Sequence, residues 1–227
     1  MSEQDYNPFA SEEISPAISE EWGAKRRVSN ALKELIELLV TSTPTTDELH
    51  TIAGKLEDTA NTFSEQPRHF GRRALVESGG HGSFGEIMHE TNPLGGFSNP
   101  LAPPINMWFE GQRAYGSVQM GWAYEGPPGS VHGGFVAAVF DQFMGMAQML
   151  GKQPGMTGTL TTRYHKPTPL NIKLQLEAWL MRVDGRKTIM RAEMRANEAL
   201  TASCEGLFIR PTGGIHKRSD ANKPTAE

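Results

Sequence analysis

Between Ser130 and Leu150 the chain reads SVHGGFVAAVFDQFMGMAQML, and Asp141 is the one carboxylate in that stretch. Its neighbours Val139, Phe140 and Phe143 are apolar. An ionised carboxylate in dry surroundings is costly unless it is paired. The combination points to a general base or nucleophile in a hydrophobic cleft. His132, Gly133 and Gly134 stand about two turns upstream. Two successive glycines lower helix propensity, so their place at a helix start calls for a reason. They let a ligand approach backbone N–H groups that have no intrahelical acceptor, and those donors with the helix dipole polarise a carbonyl or hold an oxyanion. A solvent-facing aspartate, and glycines that only relieve packing, are the competing readings of the same residues.

Spacing adds a constraint. On one helix Gly133 and Asp141 lie roughly 12 Å apart along the axis, at ~1.5 Å per residue. His132 and Asp141 face roughly opposite sides, at ~3.6 residues per turn. One copy cannot bring the Gly133 amide and the Asp141 carboxylate within about 3 Å of one reacting carbon. Two antiparallel copies can. If both residues are catalytic, the spacing predicts a two-fold homodimer whose composite sites take Gly133 from one chain and Asp141 from the other.

The elements that must position these residues are legible from periodicity. Residues 1–67 form an acidic region, with 13 Asp and Glu against 5 Lys and Arg; the remainder carries 13 against 17. Residues 1–19 read as a tail. Ala31, Leu32, Leu35, Ile36, Leu38 and Leu39 form one helix face that closes at Pro44. Thr45 and Glu48 have capping-box spacing for a second helix bearing Leu49, Ile52, Ala53, Leu56 and Ala60. These predict a helical hairpin packed on the main domain, with a lid or dimerisation arm as the alternative. Residues 68–104, rich in glycine and proline, read as a long irregular connection. His81 and His89 there lack a metal-ligand pattern, and GGHGSFG lacks the context of a phosphate loop, so neither a metal nor a cofactor is expected.

From residue 105 to 211 the expected order is two strands, one helix and four strands. Ile105–Glu110 and Gly116–Tyr124 flank a turn near Gly111–Ala114. The helix from Ser130 is apolar on nearly every side, which marks a helix buried all round, with Ser130 as its N-cap. Met156–Lys166 is the third strand. Ile172–Leu180, Met190–Ala196 and Leu200–Phe208 then alternate with period two, and Val183-Asp184-Gly185-Arg186 marks a hairpin. The sheet needs cover and the helix needs wrapping, so each meets the other's requirement. Residues 212–227 are a C-terminal tail.

The run YEGPPGSVHGGFVAAVFD, followed by TGTLTTRYHKPTPL from Thr157 and VDGRK up to Lys187, resembles the hotdog-fold acyl-CoA thioesterases. The kinship is with the phenylacetate-pathway thioesterases and the mitochondrial acyl-CoA thioesterases, over about residues 105–211. The resemblance implies an α+β hotdog fold: an antiparallel sheet wrapped around a long central helix, here with an N-terminal helical extension, in dimers or dimers of dimers. It implies that Asp141 activates water or attacks the thioester, and that the Gly133 amide polarises the carbonyl. His132 would shape that turn, and Gly134 would contact the substrate. Thr157 would position water or the carboxylate, with Thr159 as the second choice. Arg163, His165, Lys166, Arg186 and Lys187 would contact coenzyme A, their charge suiting phosphate groups. Met144, Met146 and Met149 are candidates for an acyl tunnel, though core packing also accounts for them.

The activity so implied is hydrolysis of medium- or long-chain fatty acyl-CoA. A hotdog dehydratase or hydratase, disfavoured by the order H-G-G then Asp, and a non-catalytic acyl-CoA sensor or scaffold are the alternatives. A net charge of −4 argues against nucleic acid, and no apolar run is long enough for a membrane span. One cysteine, Cys204, excludes an internal disulfide and fits a cytoplasmic setting.

Overall fold

The computed structural model describes residues 16–212 of the 227. The expected tails, 1–19 and 212–227, lie outside them except for residues 16–19 and 212. Two compact units divide the described residues: 16–102 with Gly121–Ala123, and 103–120 with 124–212.

The first unit is helical. Helix α1 (Glu20–Thr41) starts where the Ser19 hydroxyl accepts from the Trp22 N–H. Helix α2 (Thr46–Ser64) starts at a complete capping box between Thr45 and Glu48, as their spacing predicts. Residues 68–104, expected to be irregular, carry two short helices instead, α3 (Arg72–Ser78) and α4 (Phe84–Thr91). The missed signal for α4 is a second capping box, Ser83 with Glu86. A small core forms around Trp22, which is buried and donates its indole N–H to the His81 carbonyl at 2.8 Å. Beside it the Arg26 guanidinium grips the buried Glu90 carboxylate at 2.5–3.1 Å, and the Ser98 hydroxyl donates to the same carboxylate at 2.7 Å. A buried carboxylate held in this way is compensated on several lone pairs. Burial pushes the neighbouring His89 down to about 4, with the Arg26 charge adding and Glu90 opposing.

The second unit is one six-stranded antiparallel sheet around helix α5 (Gly133–Ala147). Its strands are β1 (Ile105–Glu110), β2 (Arg113–Val118), β3 (Met156–Tyr164), β4 (Leu174–Asp184), β5 (Lys187–Ala196) and β6 (Ala199–Ile209), in the order β1-β2-β4-β5-β6-β3. The expected strand–strand–helix–four-strand order holds. Alternation places Leu174, Leu176, Ala178, Met190, Ala192 and Met194 in the core, against Phe140 and Phe143 of α5. Met144 and Met146 are core residues, whereas Met149 is half exposed.

Several boundaries differ from expectation: β3 stops at Tyr164 rather than Lys166, and β4 runs Leu174–Asp184 rather than Ile172–Leu180. Strand β2 begins at Arg113, because Gly111 at φ +58° closes a two-residue turn that pairs Glu110 with Arg113. The expected end of that strand, Trp122–Tyr124, is a 3-10 turn. Ser130 does not cap α5: it bridges Pro169, and its carbonyl accepts from Gly126 in a turn. His132 is the cap. The β4–β5 hairpin falls where predicted, with Gly185 at φ +55°. Among the described residues no helix is long and apolar enough to cross a membrane.

Candidate active site

His132 sets the start of α5. Its backbone N–H donates to the Tyr124 carbonyl at 2.9 Å, and Val131 donates to Thr168 at 2.8 Å, so the entry to the helix is tied on both sides. Only glycine fits at Gly126, where a Cβ would sit 2.6 Å from the His132 Cα. The His132 Nδ1 accepts from the Gly134 N–H at 3.0 Å. An accepting Nδ1 means a neutral ring with its proton on Nε2. The Gly134 donor is thus spent on the cap, and the Gly133 N–H has no acceptor among the described residues. A free first-turn N–H is what a carbonyl-polarising site needs.

Tyr164 completes this corner. Its hydroxyl donates to the Gly133 carbonyl at 2.8 Å, and its ring lies 3.4 Å from where a Gly133 side chain would begin. Tyr164 is not among the site residues expected from sequence. Its position at the end of β3, where alternation points it at the helix, was the available signal.

Asp141 lies two turns further along α5 and is half-buried, not dry as its neighbours suggested. The reason is the strand beside it. Strand β3 is an edge strand, exposed along most of its length, so it leaves this side of α5 partly open. The Thr157 hydroxyl donates to Asp141 Oδ1 at 2.8 Å. Gln148 aligns the pair: its side-chain amide bonds Gly155 through both the N–H and the carbonyl, at 2.9 and 3.0 Å, and so fixes the start of β3 against the end of α5. Nothing in the local sequence marks Gln148, because its partner is seven residues away across a turn. A register shift between Thr157 and Thr159 follows, and Thr159 is exposed rather than turned to Asp141.

Cys204 is buried near Asp141, and its thiol is pushed up first by burial, with the Asp141 charge adding. A thiol held protonated is a poor nucleophile.

The cationic candidates are not gathered at Asp141. Strand alternation turns Arg163 and His165 to the sheet face opposite Thr162 and Tyr164. There they line a cavity of about 200 Å³ with Arg191, Ser203 and Glu205, and His165 Nε2 lies 2.8 Å from the Ser203 hydroxyl. Arg191 was not singled out from sequence. Lys166 is exposed after β3, and Arg186 and Lys187 are exposed at the β4–β5 turn. Among the described residues no cluster of three or more His, Cys, Asp or Glu could hold a metal.

Residues 128–203 match the thioesterase superfamily. Acyl-coenzyme A thioesterase THEM4 of Xenopus laevis is 31% identical over 94 residues, 40% of this chain and 42% of that protein. THEM4 of Mus musculus is 30% identical over 101 residues, 44% of each. The chain therefore spans less than half the length of these curated relatives. A crystal structure of a thioesterase superfamily protein is 32% identical and superposes with a TM-score of 0.70, over 86% of this chain and 97% of that one.

Proposed function

The chain belongs to the thioesterase superfamily, and from that premise we propose that it hydrolyses acyl-CoA to a free carboxylic acid and coenzyme A. The observation that carries the reading is the Thr157–Asp141 hydrogen bond, which aims one carboxylate lone pair and leaves the other oxygen open. Asp141 takes a proton from water as it attacks the thioester carbonyl, or attacks that carbonyl itself. The Gly133 N–H stabilises the oxyanion, the thiolate leaves, and Thr157 keeps the carboxylate in place.

Both groups lie on one helix, too far apart for one carbonyl. The working unit is therefore a homodimer, or a dimer of dimers, with sites shared between chains. The unpaired outer edge of β3 supports this, since an open strand edge beside a half-open catalytic side chain is what a two-fold partner would close. Arg163 and His165, with Arg191 beside them, and the exposed Lys166, Arg186 and Lys187 contact the phosphates of coenzyme A. The acyl group is a medium- or long-chain fatty one, which a chain-length series of substrates tests. A lone buried cysteine suits a cytoplasmic setting.

Thioester cleavage by wild type and by Asp141→Asn tests the proposal. The substitution lowers kcat at least ~10²-fold, the lower end of general-base contributions. Retained turnover refutes the assignment of Asp141. An acyl-CoA sensor would instead bind in both forms and hydrolyse in neither. Mixing inactive Asp141→Ala and Gly133→Pro chains restores part of the activity; failure to do so despite proven subunit exchange refutes shared sites.

A further inference from the structure

Helices α1 and α2 hold an apolar surface that nothing in the described residues covers. Leu32, Leu35 and Leu39 of α1 are 38%, 39% and 70% exposed, and Leu49, Ile52 and Leu56 of α2 are 40%, 40% and 44% exposed. No residue of α2 is buried, and the two helices do not pack along one another. The link between them is extended at both ends, at Ser42 and Thr45, with Pro44 between, and this holds them apart. Each of these large apolar side chains, with Val28 beside them, is more than a third exposed, and they fall in stripes rather than singly as on an ordinary monomer surface.

The spacing of the stripes says what kind of surface fits. Val28, Leu32, Leu35 and Leu39 follow steps of four and three, and so do Leu49, Ile52 and Leu56. That is the seam of a helix bundle. A 19-residue helix with a glycine and several threonines is marginal in water, so α2 needs cover to persist. The chain's own ends suit poorly. Residues 1–15 carry four acids and no base, against an α2 with Asp47, Glu48, Glu57 and Asp58 opposed only by Lys55; residues 213–227 have little apolar content beyond Ile215. Helix α1 exposes Arg27 beside Val28, which complements Glu57 and Asp58 beside Leu56.

We infer that the occupant is a second copy of this chain: α2 of each copy lies on α1 of the other, in a two-fold four-helix bundle. This rests on the two helices alone and stands whether or not Asp141 cleaves a thioester.

Sedimentation and amide hydrogen exchange on the full chain test it. In wild type, α2 amides are protected in a concentration-dependent way. The Ile52→Glu/Leu56→Glu variant loses the assembly step made by the helices, its dissociation constant raised at least ~30-fold as for loss of an interface hot spot, while a dimer closed at the β3 edge keeps its own. Protection also falls in the unaltered α1, while circular dichroism shows the sheet retained. A variant that keeps both the wild-type association constant and α1 protection overturns the inference. So does a wild-type monomer, with protected α2 pointing to the chain's own ends and unprotected α2 to a different partner. Should the variant not fold, the dilution series on wild type decides alone: protection of α2 that does not change with concentration overturns it.

Discussion

Helices α5 and α2 are of similar length and begin with well-made caps, yet α5 buries seven residues and α2 buries none. The cap and the apolar spacing announce a helix in both cases. What differs is the supply of cover. Six strands contact α5 within the same unit, so its apolar content is satisfied in one chain. The stripe on α2 has a single face and no sheet to meet it. Periodicity thus reports which face is apolar, whereas the covering surface depends on residues far away or in another molecule.

The contrast breaks most visibly in the core. Phe143→Ala removes a fully buried ring and costs about 3–5 kcal/mol in unfolding free energy. Leu56→Ala on α2 costs far less in the monomer, and its effect grows with protein concentration. Chemical denaturation at two concentrations reads both. Equal, concentration-independent losses would erase the distinction between the two helices.

The first unit has a core of its own, and pH sharpens that point. His89 is held neutral by burial, with its pKa lowered from 6.5 to about 4. The unfolded chain binds this proton first, so the stability is fully present above pH 6.5 and is lost as the pH falls through 4. The window carries on the order of 3 kcal/mol, taking ~1.4 kcal/mol per pH unit. His89→Gln flattens that part of the unfolding profile, while the second unit keeps its acid response. An unchanged slope would show that His89 is not buried in solution.

The smallest effect lies at the site. Thr157→Val removes the hydroxyl that holds Asp141 and lowers kcat about 10-fold, the worth of one ~1.4 kcal/mol hydrogen bond to a charge. KM stays within error and Thr157→Ser restores most of the rate. A change in KM alone would make Thr157 a binding residue rather than a positioning one.

Much of this was written in short-range pattern. The alternation of β4, β5 and β6, the Thr45 capping box and the strand–helix–strand order are local signals, and they hold. The resemblance pointed to Thr157, and the structure puts its hydroxyl on Asp141. Other features were set by partners remote in sequence. Ser130 looks like a cap until Pro169 and Gly126 claim it. Tyr164 matters only because β3 ends beside Gly133, 31 residues earlier. The charged side chains of β3 carry a face assignment that depends on register, which composition does not encode.

One peptide unit draws these threads together. Its carbonyl, on Gly133, is gripped by the Tyr164 hydroxyl, and its N–H, on Gly134, by the imidazole of His132. A Gly-Gly step is among the loosest a polypeptide can have, and here it is clamped at both ends. In the mechanism proposed above the adjoining Gly133 N–H is therefore aimed before any substrate arrives, and the entropy of stiffening that corner is spent once, at folding, rather than at each turnover.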